Sequence, residues 1–249
     1  MTNVFIDIET IPGQGLLDQY IQAERESFSA PSSLTKAQAA ADLGITDERD
    51  IKFTSKDDMI ARWVVAMAEA QAPIVAEEKW RKTALDGSTG EIISIAWIVE
   101  DEIPYVAKRS LGGCEIELFQ FFVSELLSAL NGRKPFFIGH NVKFDLKFLF
   151  RRSVILNQYP GFHFPFRGRH GSDYFCTMEA WCEYGERISQ DNLCKALGIE
   201  GKKDGVDGSQ IWDLVKAGEL DKVVEYNIND ARIVRELYKR LTFRQQLSA

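Results

Sequence analysis

The stretch Val4-Phe5-Ile6-Asp7-Ile8-Glu9-Thr10 opens the chain with an apolar run that carries two acids. The run is short, rich in β-branched and aromatic residues, and followed by a Pro-Gly pair, so it predicts a buried strand over residues 3–9. Successive side chains of a strand alternate between its faces, so Asp7 and Glu9 point to the same side. Because an unpaired buried charge is strongly disfavoured, two such acids favour a strand whose end opens into a metal site. A strand end with solvated acids explains the same pattern.

A second motif, with a third acid, lies in the stretch Ile138-Gly139-His140-Asn141-Val142-Lys143-Phe144-Asp145. Residues 135–139 read as a short buried strand, and Asn141 is placed as the N-cap of a helix that runs to about residue 152. Asp145 therefore belongs to the first turns of this helix. Taken alone, it needs no further explanation than the favourable interaction of an acid with a helix N-terminus.

A third motif, Tyr226-Asn227-Ile228-Asn229-Asp230, lies near the end of the chain. Tyr226 and Asp230 are four residues apart in a predicted helix, so their side chains share one face. Taken alone, the pair is also explained by a tyrosine at the edge of the core and an unrelated surface acid. Together, the motifs supply four acids, which would repel one another at one point unless cations lay among them. The combination predicts a metal-dependent phosphodiesterase.

The remaining hydrophobic pattern predicts an α/β fold with a mixed sheet. Two strands joined by a tight polar connection indicate an antiparallel hairpin, and apolar residues spaced for helices follow. The predicted strands are 92–100 and 105–109, and the predicted helices are 115–130, 190–197, 210–216 and 220–241. Residues 157–175, rich in Gly and Pro, are predicted to be a long loop.

The segment between the first motif and the second strand has a different composition, rich in Ala, Glu, Lys and Gln. Its predicted helices are 16–29, 34–43 and 56–84; Ser55 and Asp58 resemble a capping box, and Pro73 is expected to break the third helix. We interpret residues 14–90 as a helical insertion within a single domain that spans residues 1–249.

The composition bounds the class of protein. The chain has 249 residues, a net charge of −7, and four cysteines without CxxC spacing, so reduced thiols are favoured over a zinc site. The negative charge argues mildly against a protein that coats nucleic acid, and less against one that grips a few nucleotides. No run approaches the ~20 apolar residues of a membrane span. The chain enters a strand without a basic leader, so a cytoplasmic, cytosolic protein is expected.

Taken in order, the three motifs resemble those of the DEDD superfamily of 3′–5′ exonucleases, above all the exonuclease domain of family B DNA polymerases and its stand-alone relatives. The sequence Gly139-His140-Asn141-x-x-Phe144-Asp145 is very similar to the second motif of that family. Two non-catalytic stretches are similar too, Lys82-Thr83-Ala84-Leu85-Asp86 and Lys203-Asp204-Gly205-x-Asp207-Gly208-Ser209. The superfamily divides into a histidine and a tyrosine branch, and Tyr226 places this chain with the tyrosine branch. A Cys176-Thr177-Met178 element departs from the Asp-led form of many relatives.

The resemblance implies an RNase H-like fold and two Mg²⁺ or Mn²⁺ ions held by the four acids Asp7, Glu9, Asp145 and Asp230. Asp7 would bridge the ions, Glu9 and Asp230 would complete the ion on the nucleophile side, and Asp145 would serve the ion on the leaving-group side. Tyr226 would orient the attacking water. The resemblance also implies that four residues hold the 3′-terminal nucleotide: Ile8, Thr10, Asn141 and Phe144.

The resemblance implies a nucleic acid 3′ end as the partner, with single-stranded DNA favoured as the substrate. An RNA exonuclease is the competing enzyme, because the same chemistry serves both sugars and the contacts to a 2′-hydroxyl are not located. A catalytically silent nucleic-acid-binding module is the alternative of another class, and the presence of all five motif residues speaks against it. The chain has no GxxxxGK loop and no GxSxG motif, which leaves the NTPase and serine hydrolase classes without support.

Overall fold

The computed structural model describes residues 1–183, 185–201 and 208–244. The predicted similarity at residues 203–207 lies outside these described residues, and so does most of the polar stretch that precedes Gly208.

The described residues form a mixed sheet of five strands in the order β3-β2-β1-β4-β5. The strands are β1 (Thr2–Ile11), β2 (Glu91–Val99), β3 (Tyr105–Lys108), β4 (Pro135–Gly139) and β5 (Tyr174–Cys176). The central strand β1 is antiparallel to β2 and parallel to β4, and β2 and β3 form the predicted hairpin. The prediction of an α/β fold with a mixed sheet is confirmed.

The described part of the chain also contains ten α-helices. They are α1 (Leu17–Ser27), α2 (Lys36–Asp42), α3 (Glu48–Phe53), α4 (Lys56–Arg81), α5 (Glu115–Leu130), α6 (Val142–Ile155), α7 (Thr177–Trp181), α8 (Gln190–Leu197), α9 (Ile211–Lys216) and α10 (Leu220–Leu241). Short 3₁₀ turns lie at Lys82–Leu85 and Gly208–Gln210. The observed bounds of α5 and α10 agree with those predicted from their apolar stripes.

The two faces of β1 pack against different helices, and this division positions its acids. Val4, Ile6 and Ile8 belong to a core cluster built with α5 and α6. On the opposite face, Phe5 packs with α10, and Ile11 packs with α9 and the start of α10. Asp7 and Glu9 alternate with the first set, so they lie on the face that α10 covers.

Residues Gly13–Thr83 form a compact unit of their own, and the rest of the chain forms another. The helical unit has its own core around Met59 and Trp63, and Ser55 caps α4 as predicted, because its Oγ accepts from the Asp58 N–H at 3.0 Å. The insertion ends at Thr83, before the predicted boundary at 90. That it belongs to a single domain with the sheet stays a prediction.

The predicted break at Pro73 is wrong, because α4 continues through it to Arg81. The reason lies in the packing on both sides of the proline. Ala68, Ala72 and Ala76 are buried at a four-residue spacing, and α4 packs along α1. This continuous packed face compensates the one backbone hydrogen bond that proline cannot donate.

Three short elements escaped prediction: α3, β5 and α7. The predicted loop 157–175 includes the start of β5, which pairs in parallel with β4 from Tyr174 to Cys176. A strand of three residues is too short to show a period of two. It forms because β4 offers it a free edge, which the sequence pattern does not reveal.

One helical segment in the described part of the chain, Lys56–Leu85, is long and apolar enough to cross a membrane by length and composition. A single segment of this kind is weak evidence, because the core helix of a soluble protein passes the same test. In this structure the segment supplies Met59, Trp63 and Trp80 to buried positions. A membrane location is not indicated, and the cytoplasmic compartment stays a prediction.

Candidate active site

Three of the four predicted acids converge at the end of the central strand. One carboxylate oxygen from each of Asp7, Glu9 and Asp230 lies within 4.8 Å of the others. Strand β1 supplies the first two, and α10, which covers this face, supplies the third. Glu9 and Asp230 are buried, at 7% and 5% exposed, and Asp7 is partly exposed. The group is therefore a set of acids drawn out of water and not a solvated surface cluster.

Asp145 lies beside this group and is fixed by the backbone of β1. Its Oδ1 accepts the N–H of Ile8 at 3.2 Å, and the residue is 4% exposed. Strand β4 pairs with β1 only as far as Phe5, so the N–H of Ile8 lies beyond the reach of the β4 ladder. The first turns of α6 follow β4 directly, and Asp145 takes the place of the missing strand partner.

The acids raise one another's pKa values. Burial is the largest cause for Asp7, whose pKa lies well above its usual value, and the charges of Asp230, Glu9 and Asp145 add to it. Burial likewise raises the pKa of Asp145 to about 8, with a smaller contribution from Asp230. Bound cations reverse this balance, because they favour the ionised carboxylates. A set of buried carboxylate oxygens fits hard ions such as Mg²⁺ and Mn²⁺.

Tyr226 faces the acids from α10. Its side chain is half-buried against the cluster that includes Ile93 and Val223, and its hydroxyl hydrogen-bonds with Asp230. Burial, followed by the charges of the nearby acids, raises the pKa of Tyr226 above its usual value of 10.0. The hydroxyl is therefore neutral at physiological pH. Glu225, where the histidine branch of the superfamily has its histidine, is exposed.

Asn227 is a site residue that the sequence reasoning missed. It is 0% exposed, and its Nδ2 donates to Asp7 Oδ2 at 2.7 Å. Its Oδ1 accepts from the hydroxyl of Ser94, also at 2.7 Å, and Ser94 is the Cα partner of Glu9 across the β1–β2 ladder. The sequence feature that could have identified Asn227 is its position as an amide inside the apolar stripe of α10. On the other side of the site, Gln190 donates its Nε2 to the backbone carbonyl of Asp230 at 3.1 Å.

The predicted nucleotide-binding residues occupy different environments. The side chain of Ile8 is 6% exposed and lies in the core, and the Thr10 hydroxyl donates to the Ala84 carbonyl at 2.7 Å. Asn141 is exposed and Phe144 is half-buried, both at the start of α6. Of the four, only Ile8 is buried, and the binding role of all four stays a prediction.

The turn that leads into α6 is tightly built. Asn141 occupies the predicted N-cap position, but its φ of 61° is left-handed and its side chain makes no capping hydrogen bond. Asparagine tolerates this conformation, so the turn and not the cap explains the residue. Gly139 has no room for a side chain, because a Cβ there would lie 2.7 Å from Val142 Cγ2 and 3.1 Å from the Ile6 carbonyl oxygen.

His140 connects the same turn to two later segments. Its Nε2 lies 2.9 Å from the Ile188 carbonyl oxygen, and its Nδ1 lies 2.9 Å from Thr177 Oγ1. A carbonyl only accepts, so Nε2 carries a proton and donates it to Ile188. This contact gives Thr177, in the Cys176-Thr177-Met178 element, a structural role that does not need an acid at position 176.

A mixed sheet flanked by helices, with buried acids at the end of its central strand, defines an RNase H-like α/β protein whose site suits divalent cations. The chain belongs to a family described as a predicted 3′–5′ exonuclease related to the exonuclease domain of PolB, whose model matches residues 85–246. The matched stretch contains Asp145, Tyr226 and Asp230, while Asp7 and Glu9 precede it. No curated protein matches the chain. The family match confirms the predicted resemblance to the exonuclease domain of family B DNA polymerases, and the assignment to the tyrosine branch stays a prediction.

Proposed function

We propose that this protein is a divalent-cation-dependent 3′–5′ exonuclease that hydrolyses the terminal phosphodiester bond of DNA, with single strands as the preferred form. The observation that carries this proposal is the convergence of Asp7, Glu9 and Asp230 on one point, with Asp145 beside them. Buried acids that raise one another's pKa destabilise the ionised protein, and an ion-binding role accounts for their placement.

The acids divide into those that approach from the sheet and those that approach from the helices. Asp7, Glu9, Asp145 and Asp230 would hold two Mg²⁺ or Mn²⁺ ions, which when bound offset the charge of the phosphate and lower the pKa of a water. Asp7 is suited to the bridging position, because its carboxylate is close to Glu9 and Asp230 and interacts with the charge of Asp145.

Tyr226 supplies a neutral hydroxyl and not a phenolate, because its pKa is raised. Since it donates to Asp230, its oxygen lone pairs can accept from the attacking water and align it with the terminal phosphorus. The water oxygen loses a proton to solvent and bonds to phosphorus, the bond from phosphorus to the 3′-oxygen breaks, and the 3′-oxygen takes up a proton from solvent. The products are a nucleoside monophosphate and a strand with a new 3′-hydroxyl.

DNA is favoured as the substrate because of the relation to the PolB exonuclease domain. The net charge of −7 fits an enzyme that grips one strand end better than one that coats a long nucleic acid. RNA remains the alternative substrate, since the acids and Tyr226 act on the phosphodiester and not on the sugar.

Digestion of matched oligonucleotides tests the proposal. Single-stranded DNA, double-stranded DNA and RNA of one sequence, each labelled at the 5′ or the 3′ end, are incubated with Mg²⁺, Mn²⁺ or EDTA. We expect 5′-labelled DNA to shorten stepwise and 3′-labelled DNA to release labelled mononucleotide, only with a cation present. Faster loss of RNA than DNA would select the RNA enzyme.

Two variants on the same helix separate catalysis from folding. Asp230→Asn removes a buried acid of the site, while Glu225→Gln removes an exposed acid five residues earlier. We expect the first to abolish digestion and the second to leave it unchanged. Retained digestion by Asp230→Asn would refute the catalytic proposal. Binding of DNA without digestion by the unaltered protein would favour the catalytically silent module.

A further inference from the structure

Asn227 stands out among the buried polar residues because it joins two strands and a helix at the acids. It lies on α10, donates to Asp7 on β1, and accepts from Ser94 on β2, each across 2.7 Å. None of its surface is accessible, so it cannot touch a nucleic acid directly. We name Ser94, Asn227 and Asp7, with the two hydrogen bonds between them, the Asn227 bridge.

We infer that Asn227 is a positioning residue that sets the orientation of the Asp7 carboxylate for metal binding. This inference rests on the proposed function, because it assumes that Asp7 is a metal ligand. A carboxylate has two oxygens and about four lone-pair directions. The Asn227 amide takes one direction on Oδ2, which leaves Oδ1 and the rest of Oδ2 for cations.

Asp7 determines which end of the Asn227 amide faces it, and Ser94 satisfies the other end. An ionised Asp7 only accepts hydrogen bonds, so it requires the NH₂ end of Asn227. With Ser94 donating to Oδ1, the amide is held in that orientation from the other side. A serine and an asparagine thus hold the ionised carboxylate in one orientation, which reduces the ordering needed when an ion binds.

The bridge also explains why this polar group is tolerated in the core. A buried amide without partners is costly, and in Asn227 one N–H and the carbonyl oxygen each have a partner. A purely structural role would make the same contacts, so stability measurements do not distinguish the two roles. Metal affinity does, because the orientation of Asp7 affects ion binding directly.

The test is Mn²⁺ titration of the full chain by calorimetry without nucleic acid. Asn227→Leu keeps a similar side-chain volume and removes the amide, and we expect Mn²⁺ affinity to fall about ten- to a hundredfold. Asn229→Leu, on the same helix and half-buried, is the matched control and should bind as the unaltered protein does. Near-UV circular dichroism checks that each variant is folded.

Ser94→Ala provides the second arm, since it removes only one hydroxyl and is safer for folding than Asn227→Leu. We expect it to weaken Mn²⁺ binding roughly three- to tenfold, because the amide is freed to rotate. In the Asn227→Leu background the same change should have no further effect, since the bridge is already broken. If Asn227→Leu does not fold, the Ser94→Ala result decides the inference.

The outcomes separate this inference from the proposed function. Suppose that the unaltered protein digests DNA, and that folded Asn227→Leu and Ser94→Ala both bind Mn²⁺ within twofold of its affinity. This result would overturn the inference and leave the proposed function intact. An unaltered protein that binds no Mn²⁺ and digests nothing would overturn both. A raised Mn²⁺ requirement for half-maximal digestion, with unchanged KM for DNA, would support the positioning role.

Discussion

The backbone N–H of Ile8 donates to the Asp145 carboxylate across 3.2 Å and joins two residues 137 positions apart. Strand β4 stops pairing with β1 at Phe5, and α6 begins where β4 ends. Asp145 at the start of α6 therefore accepts a hydrogen bond from the Ile8 N–H, which β4 does not reach. The same contact holds Asp145 beside Asp7 and Asp230, so one hydrogen bond serves the fold and the site.

A comparison of Asp145→Asn with Asp145→Ala tests this double role. We expect both variants to lose digestion by at least about a hundredfold, because a ligand charge is gone. Asparagine still accepts the Ile8 N–H, whereas alanine leaves that buried group without a partner. The free energy of unfolding, measured by urea denaturation, should therefore be about 1–3 kcal/mol lower for the alanine variant than for the asparagine variant. Equal stabilities would contradict the structural role of the contact.

The stability of the metal-free protein should fall as the pH rises. The pKa of Asp145 is about 8 in the folded protein, and an unfolded carboxyl titrates near 3.8. Between these values the folded state holds a proton that the unfolded state has released, so the free energy of unfolding decreases with pH and levels off above about 8. The raised pKa of Asp7 acts in the same direction.

Thermal unfolding in EDTA from pH 5 to 9 measures this slope. We expect the melting temperature to decline to about pH 8, and Mg²⁺ or Mn²⁺ to raise it more at pH 8 than at pH 5, because cations favour the ionised acids. Asp145→Asn should make the melting temperature less dependent on pH, because asparagine does not titrate in this range. A melting temperature in EDTA that is constant or rises over this range would rule out the explanation.

Much of the fold follows from periodicity, and the exceptions have physical causes. The stripes of α5 and α10 span four or more turns, so their bounds were predicted well. Strand β5 has three residues and exists through its pairing with β4, which no local pattern encodes. The predicted helix break at Pro73 is wrong, because the packing of α4 along α1 outweighs a single missing hydrogen bond.

The site divides in the same way. Alternation along β1 predicted that Asp7 and Glu9 share a face, and four-residue spacing on α10 predicted that Tyr226 accompanies Asp230. Asn227 was not predicted, because a polar residue in an apolar stripe has no visible partner until the facing strands are known. The sequence therefore predicts the acids themselves, but not the contacts by which other strands and helices hold them in place.

Tyr226→Phe should slow digestion without weakening metal binding. Phenylalanine keeps the ring that packs against the neighbouring apolar cluster and loses only the hydroxyl. We expect kcat to fall about a hundredfold, with Mn²⁺ affinity within twofold of the unaltered protein. Glu225→Gln, one residue earlier and exposed, should have no effect on either. Because the raised pKa of Tyr226 keeps the hydroxyl neutral, the unaltered protein and Tyr226→Phe should show the same pH dependence of rate from pH 6 to 9. An ionisation that vanishes in Tyr226→Phe would instead make the tyrosine a base.

Gly139→Ala should damage the site through the backbone. The added Cβ would lie 2.7 Å from Val142 Cγ2, 2.8 Å from Val142 Cβ and 3.1 Å from the Ile6 carbonyl oxygen, so the start of α6 must move away from β1. We expect a loss of about 1–3 kcal/mol in the free energy of unfolding and weaker Mn²⁺ binding, since Asp145 moves with α6. Gly201→Ala is the matched control, because its Cβ would make only ordinary contacts, the nearest 3.6 Å from Asp191 Oδ1. Urea denaturation and Mn²⁺ calorimetry measure both effects. If Gly139→Ala matched Gly201→Ala in both measurements, the close approach of β4 and α6 would not be what holds Asp145 at the site.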